Sequence, residues 1–213
     1  SVSVTTTITI TEDNDAPVID LDPATAFNAA NPNATVEITG NQTYTENGSA
    51  KVIDGDLTLS DVDDTHLVGA TVKVTGGEFD ADIDSLGADG DVLSLGTVTL
   101  AGHTLNHTAG TNSWTLTENT GSTTVITVTR DATHQDELTL TGDAPKSVYQ
   151  ALLQAVTYKS TSDNLTDRAT NDGSASTPDH QERTITWTVT DANDDAVDAN
   201  NDASTIDDRK TAQ

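Results

Sequence analysis

Apolar residues recur at alternate positions along most of this 213-residue chain, and threonine fills many of the gaps between them. Val2, Val4, Ile8 and Ile10 share one phase, as do Val68, Ala70, Val72 and Val74, then Leu138 and Leu140, then Ile185, Trp187 and Val189. Successive side chains of a strand point to opposite faces, so this spacing predicts strands that are apolar on one side and polar on the other. Helices are excluded over those stretches, because a period of two places apolar groups all around a helix. The expected fold is all-β, an antiparallel β-sandwich whose sheets bury their apolar faces against each other. Leu93 and Leu95 are out of phase with Val98 and Leu100, and Gly96 lies at the break, so a bulge or a bend between sheets is expected there.

One segment follows a different period. Val148, Leu152 and Ala155 recur at helical spacing beside Tyr149, Leu153 and Val156, after Pro145 and a candidate N-cap at Asp143. This predicts one short helix between about Pro145 and Ala155, lying as a lid over one end of the core. Leu153 and Trp187 are expected to be buried.

Charge is the second constraint. Thirty-five acids stand against nine Lys and Arg, for a formal charge of -26. Such a chain repels phosphate, which argues against a nucleic-acid partner and against an anionic membrane surface. Without cysteine no disulfide can staple it, and no stretch approaches the roughly 20 apolar residues of a membrane-spanning helix. No membrane insertion is expected. Leu, Ile, Val and Phe together make 43 residues, about one in five, which borders on the composition of disordered chains. Something must therefore offset the charge. Beginning in mid-strand at Ser1-Val2-Ser3-Val4, the sequence reads as a piece of a longer chain.

The acids are gathered rather than spread. Residues 12–22, 54–64, 78–91, 163–182 and 191–208 contain 28 of the 35, whereas residues 92–130 hold only Glu118. Each cluster falls where the strand pattern lapses. A single Asp in a turn is ordinarily a solvated turn residue. Several within a few positions repel one another unless a hard cation lies between them, and Ca²⁺ takes six to eight oxygens from Asp, Glu, Asn and backbone carbonyls. Zinc is disfavoured, since there is no cysteine and the five histidines are scattered. Several calcium ions are expected. Asp80, Asp82 and Asp84, with Asp91 in the twelfth position, match oxygen positions of an EF-hand loop, but Ser85 replaces the glycine and no helices flank it, so an irregular calcium loop is the alternative.

Two stretches repeat a phrase of acid, any residue, Asn, Asp: Glu12-Asp13-Asn14-Asp15 and Asp191-Ala192-Asn193-Asp194. Each follows a Thr-rich alternating strand, which suggests one unit bounded by two similar linkers. With Tyr44-Thr45-Glu46-Asn47-Gly48, Leu59-Ser60-Asp61-Val62-Asp63-Asp64, the stretch Tyr149 to Tyr158, and Asn171-Asp172-Gly173-Ser174 leading to Arg183 through Asp191, the order of these motifs resembles the cadherin-like repeats of large calcium-dependent bacterial surface adhesins of the RTX type. The resemblance spans residues 12–195. It implies a calcium-binding cadherin- or Ig-like sandwich on a bacterial surface, outside the cell, strung in series with neighbouring repeats of the same chain. Residues 1–17 then form an end strand and linker from the preceding repeat, 18–195 the sandwich, and 196–213 an acidic tail or linker toward the next. Repeats of this kind commonly carry one more strand after the segment matching Arg183 to Thr190, so either that segment is already the last strand, or the final strand has been cut off and Val2 to Ile10 occupies an edge instead.

Counting strand reversals from the first linker places Asp61, Asp63 and Asp64 beside Glu12, Asp13, Asn14 and Asp15. By the same count Glu46 lies at the far end, near Asp191, Asn193 and Asp194, so that two interdomain calcium sites are expected.

Three functions compete on sequence alone. An extender needs only its two linkers. A ligand-binding module would take a surface peptide or glycan of a host or microbe through a loop calcium, with Asp163, Asp172, Ser174 and Ser176 as candidate contacts. An enzyme is disfavoured, because calcium needs the Asp pairs ionised and tied down, and no Ser, His and Asp set has a recognisable local context. Trp114 and Trp187 lie in alternating strands, where burial is the expected role. The extender is the preferred reading, acting as a monomer in cell adhesion.

Overall fold

The computed structural model describes residues 16–21, 44–45, 48–62, 64–76, 90–121, 123–132, 134–160, 183–191 and 211–212. Elements run in the order β1 (Val18–Asp20), β2 (Lys51–Val52), β3 (Thr58–Ser60), β4 (His66–Gly76), β5 (Asp91–Leu95), β6 (His103–His107), β7 (Ser113–Glu118), β8 (Thr124–Arg130), β9 (Glu137–Pro145), α1 (Lys146–Leu153), β10 (Val156–Ser160), β11 (Thr184–Asp191) and β12 (Thr211–Ala212). Among the described residues these strands form a seven-stranded sheet in the order β12-β11-β4-β9-β8-β7-β6, a three-stranded sheet β2-β10-β5, and the pair β1-β3. All pairings are antiparallel. The protein is thus an all-β antiparallel sandwich, with one short helix among the described residues. No described helix is long and apolar enough to cross a membrane.

Alternation explains the layers. Ala70, Val72 and Val74 of β4, Trp114 and Leu116 of β7, Ile126 and Val128 of β8, Leu138 and Leu140 of β9, and Trp187 and Val189 of β11 are buried on one face of the large sheet. Leu57, Leu93 of β5 and Val156 of β10 complete the same core. Val68 departs from the expected phase: it is only half-buried, while Leu67 is fully buried. The cause is a register shift between Leu67 and Gly69, an extra residue that reverses which side chain faces inward. The first alternating stretch, Val2 to Ile10, lies outside the described residues.

The helix forms where expected, but its start differs. Asp143 belongs to β9, which continues to Pro145 and runs directly into α1, and no side chain caps the first turn. Val148, Tyr149, Leu152 and Leu153 are its buried residues. Tyr149 donates through its hydroxyl to the Gly142 carbonyl at 2.5 Å. Burial, with the Asp143 charge adding, pushes the Tyr149 hydroxyl pKa up. Gln154 donates to the Leu57 carbonyl at 2.8 Å, and the Leu59 amide donates to Gln150 Oε1 at 3.0 Å. Two glutamines one turn apart therefore fasten the segment before and within β3 to the lid.

Gly142 has φ +146, and a Cβ there would lie 2.2 Å from the Val125 carbonyl oxygen. Gly142→Ala is expected to lower stability by at least about 2 kcal/mol, because strained backbone and a backbone clash add; chemical denaturation would measure it, and a loss below half that size would show that β8 and β9 can separate at low cost. At Gly96 the expected break is the end of β5. The chain leaves the small sheet there for β6 of the large one, and the Gly96 amide donates to the Ala155 carbonyl at 2.8 Å.

The stretch beyond β11 also resolves in part. Thr211 and Ala212, within the segment read as a tail, pair with Thr190 and Val189, so a strand beyond β11 does exist and forms the edge of the large sheet.

Candidate metal centre

Asp61, Asp64 and Asp191 converge at one end of the sandwich, each offering a carboxylate oxygen within 4.8 Å of the others. Backbone pairing places them. β3 ends at Ser60, and β4 begins at His66, so Asp61 and Asp64 occupy the short connection between them. β11 runs antiparallel to β4 and ends with Asp191 opposite Leu67, which delivers the third carboxylate to the start of β4. A register shift between Thr190 and Asp191 bends the strand at that point. Asp191 is fully buried and Asp64 nearly so, whereas Asp61 is half-buried.

Local hydrogen bonds shape the connection. The Asp64 amide donates to Asp61 Oδ1 at 3.0 Å, closing a tight turn. Lys146, the first residue of α1, holds the turn from the other side. Its ammonium donates to the Asp61 carbonyl at 2.8 Å and to the Asp64 carbonyl, and its amide donates to the Thr65 carbonyl at 3.1 Å. The lid helix is thereby tied to the loop that supplies two of the three carboxylates.

The donor set suits a hard cation. Two oxygens bound to one Ca²⁺ at about 2.3–2.6 Å can lie at most about 5 Å apart, and the 4.8 Å limit of the triad falls within that. Oxygen donors without nitrogen or sulfur select Ca²⁺, Mg²⁺ or Mn²⁺ over zinc. Three carboxylates and one ammonium leave two negative charges, which one divalent ion balances.

The grouping differs from the expectation of two opposite sites in one respect. Asp191 meets Asp61 and Asp64, rather than lying at the far end with Glu46. Counting reversals failed because the order of strands in the sheet, with β11 beside β4, is not given by the order along the chain. Ala16 and Pro17 precede β1, whose Val18 pairs with Ser60, so the chain enters β1 at the Asp61 end. Tyr44 lies elsewhere: its hydroxyl donates to the Ser160 and Gly48 carbonyls, and its ring meets Tyr158 edge-on at 5.2 Å. Ser160 pairs with Asp91, which binds Arg183 at the opposite end of β11 from Asp191. Glu12, Asp13, Asn14, Asp15, Glu46, Asp63, Asp80, Asp82, Asp84, Asn193 and Asp194, and the ligand candidates Asp163, Asp172, Ser174 and Ser176, lie outside the described residues.

Asp91, the candidate twelfth position of the irregular loop, has other partners. Arg183 Nε donates to its Oδ2 at 2.6 Å and the Tyr158 hydroxyl donates to its Oδ1. Its side chain is fully buried. Both oxygens are thus engaged in an ion-pair cluster joining β5, β10 and the start of β11. Burial, reinforced by the Asp91 charge, pushes the Tyr158 hydroxyl pKa up, so it remains a donor at neutral pH.

Both tryptophans belong to the core. Trp187 is 3% exposed and Trp114 4%, which leaves neither ring as an open platform for a sugar. His107 stacks on Trp114 with centroids 4.6 Å apart, and Arg130 lies over the same ring at 5.7 Å while donating to Asn112 Oδ1 at 2.7 Å. Comparison with protein-family models, with curated proteins and with solved structures finds no match for this chain.

Proposed function

We propose that this chain is a calcium-dependent β-sandwich module of a large bacterial surface adhesin, set in series with neighbouring repeats outside the cell. Calcium at its ends stiffens it as an extender, so the role is spacing rather than catalysis. The observation carrying this reading is the meeting of Asp61, Asp64 and Asp191 beside the incoming chain at Ala16 and Pro17. An ion there bonds the β3–β4 connection to the end of β11, immobilising the end of the sandwich nearest the first linker. The motif order that resembles cadherin-like adhesin repeats supports the same assignment, as does the charge balance with Lys146. Calcium is favoured over magnesium because magnesium demands a regular octahedron at shorter distances and gives up its waters reluctantly.

The test is the double change Asp61→Ala with Asp64→Ala. Native mass spectrometry in millimolar calcium should count one ion fewer than in the parent protein, and isothermal titration should lose one class of sites. An unchanged ion count and titration curve would show that the triad is only a solvent-bordering acid cluster and would remove the basis for the extender reading.

A further inference from the structure

A second pair of acids, away from the triad, is built differently. Asp54 lies in the connection between β2 and β3 and is 3% exposed. Its Oδ1 accepts from the Asp56 amide at 3.2 Å and from the Leu57 amide at 2.8 Å. Its Oδ2 is buried and receives no hydrogen bond. A buried, ionised carboxylate oxygen without a donor is costly, and such groups take up a proton instead. The Asp56 side chain is within hydrogen-bonding reach of Asp54 and its charge opposes ionisation there.

We infer that Asp54 and Asp56 hold one proton between them in the folded protein, forming an acid-strengthened latch on the segment that leads through β3 to Asp61. The proton resides on Asp54 Oδ2, the buried oxygen that no donor reaches. Oδ1 stays free to accept the two amides that fix the turn. A bound cation is the poorer occupant, because Oδ2 is sealed from solvent and an ion would need several further oxygens around it. Among the described residues, the elements packed against this connection contribute no opposing positive charge. Lys146 of α1 is bonded to the Asp61 and Asp64 carbonyls, Lys51 of β2 and Lys159 of β10 are exposed, and Asp56 is the charged group acting on Asp54. Two further hydrogen bonds of the segment are neutral: Ile53 donates its amide to the Val156 carbonyl, and Leu57 accepts from Gln154.

The sign follows from the proton count. Burial, with Asp56 adding, raises the Asp54 pKa from 3.8 to about 6, so between those values the folded chain binds more protons than the unfolded one. The stability associated with the pair is complete below the lower value and is lost as pH rises through the upper one. Acid therefore tightens this connection, in the pH range where most paired carboxylates weaken a fold.

Asp54→Asn tests the latch, since an amide keeps the Oδ1 acceptor and stays neutral at every pH. Thermal melts in chelator, at constant ionic strength, should place the variant at least about 3 °C above the parent at pH 7.5, with the gap closing toward pH 4. A gap independent of pH would overturn the proposal. The parent protein gives a second readout that needs no variant: the Asp54 carboxyl carbon followed by NMR should titrate near 6. A midpoint at the ordinary carboxylate value of about 3.9 would equally overturn it. Because both measurements are made without calcium, their failure leaves the triad untouched.

Discussion

Replacing Asp91 with alanine is expected to destabilise the protein by about 3–5 kcal/mol, equivalent to roughly 6–20 °C in melting temperature for a chain of this length. The magnitude comes from what remains behind. Arg183 is 12% exposed and would keep its charge while losing the carboxylate that Nε contacts at 2.6 Å, and the Tyr158 hydroxyl would lose its acceptor. The pair itself need not add much over an apolar replacement, because desolvating two ions offsets most of their attraction. Changing both partners, Asp91→Leu with Arg183→Leu, should therefore cost less than Asp91→Ala alone. Urea denaturation of the single and double variants measures this. A loss below about 1 kcal/mol for the single change would mean that water reaches and screens the pair.

Calcium removal should have the other large effect. A site at a hundredfold excess of ligand over its dissociation constant contributes about 2.7 kcal/mol, and each kcal/mol moves the melting temperature of a chain of this size by about 2–4 °C. The triad alone should then account for a shift of about 5–11 °C between chelator and saturating calcium. Further ions at the acid clusters of residues 12–15 and 193–195 would carry the total well above 10 °C. Chelation also leaves a formal charge of -26 uncompensated on a core of modest apolar content. The check is a pair of melts at constant ionic strength, with magnesium as a control that should restore little of the shift. Identical melting temperatures with and without calcium would mean that the acids are merely solvated.

The strands and the helix were legible because each is a local pattern: alternation for β4, β9 and β11, and helical spacing over Val148 to Ala155. The positions of the acids were legible only in part. Acids in loops say nothing about their partners, and the strand order that brings β11 beside β4 is set by pairing between distant segments. A signal was nevertheless present. Ile185, Trp187 and Val189 share one face, and Asp191 continues the same phase, so a carboxylate is placed where the pattern demands an apolar side chain. Asp91 stands in phase with Leu93 in the same way. Those two acids prove to be buried, Asp191 in the triad and Asp91 against the charge of Arg183. Asp54 gave no such sign. Its burial depends on how the β2–β3 connection folds under α1, through Gln150 and Gln154, and no periodicity encodes that. The bulge at Leu67 to Gly69 was equally silent, since a one-residue insertion leaves the alternation intact on either side.

The pairing of β11 with β4 also sets the order in which the molecule can be finished. Trp187 faces Val72, 115 positions earlier in the chain. Contacts so distant in sequence are slow to form, because the loop between them must close before the pairing rewards it, and sandwiches dominated by them fold in milliseconds to seconds. The local pairs β6–β7, β7–β8 and β8–β9 can assemble while β11 is still on the ribosome. Until β11 arrives, β4 presents an unpaired edge, and Asp61 and Asp64 wait without Asp191. Completion of the acid triad and protection of that edge are then one event, so an ion that prefers three carboxylates to two would report the moment of closure and hold the late-arriving strand in place.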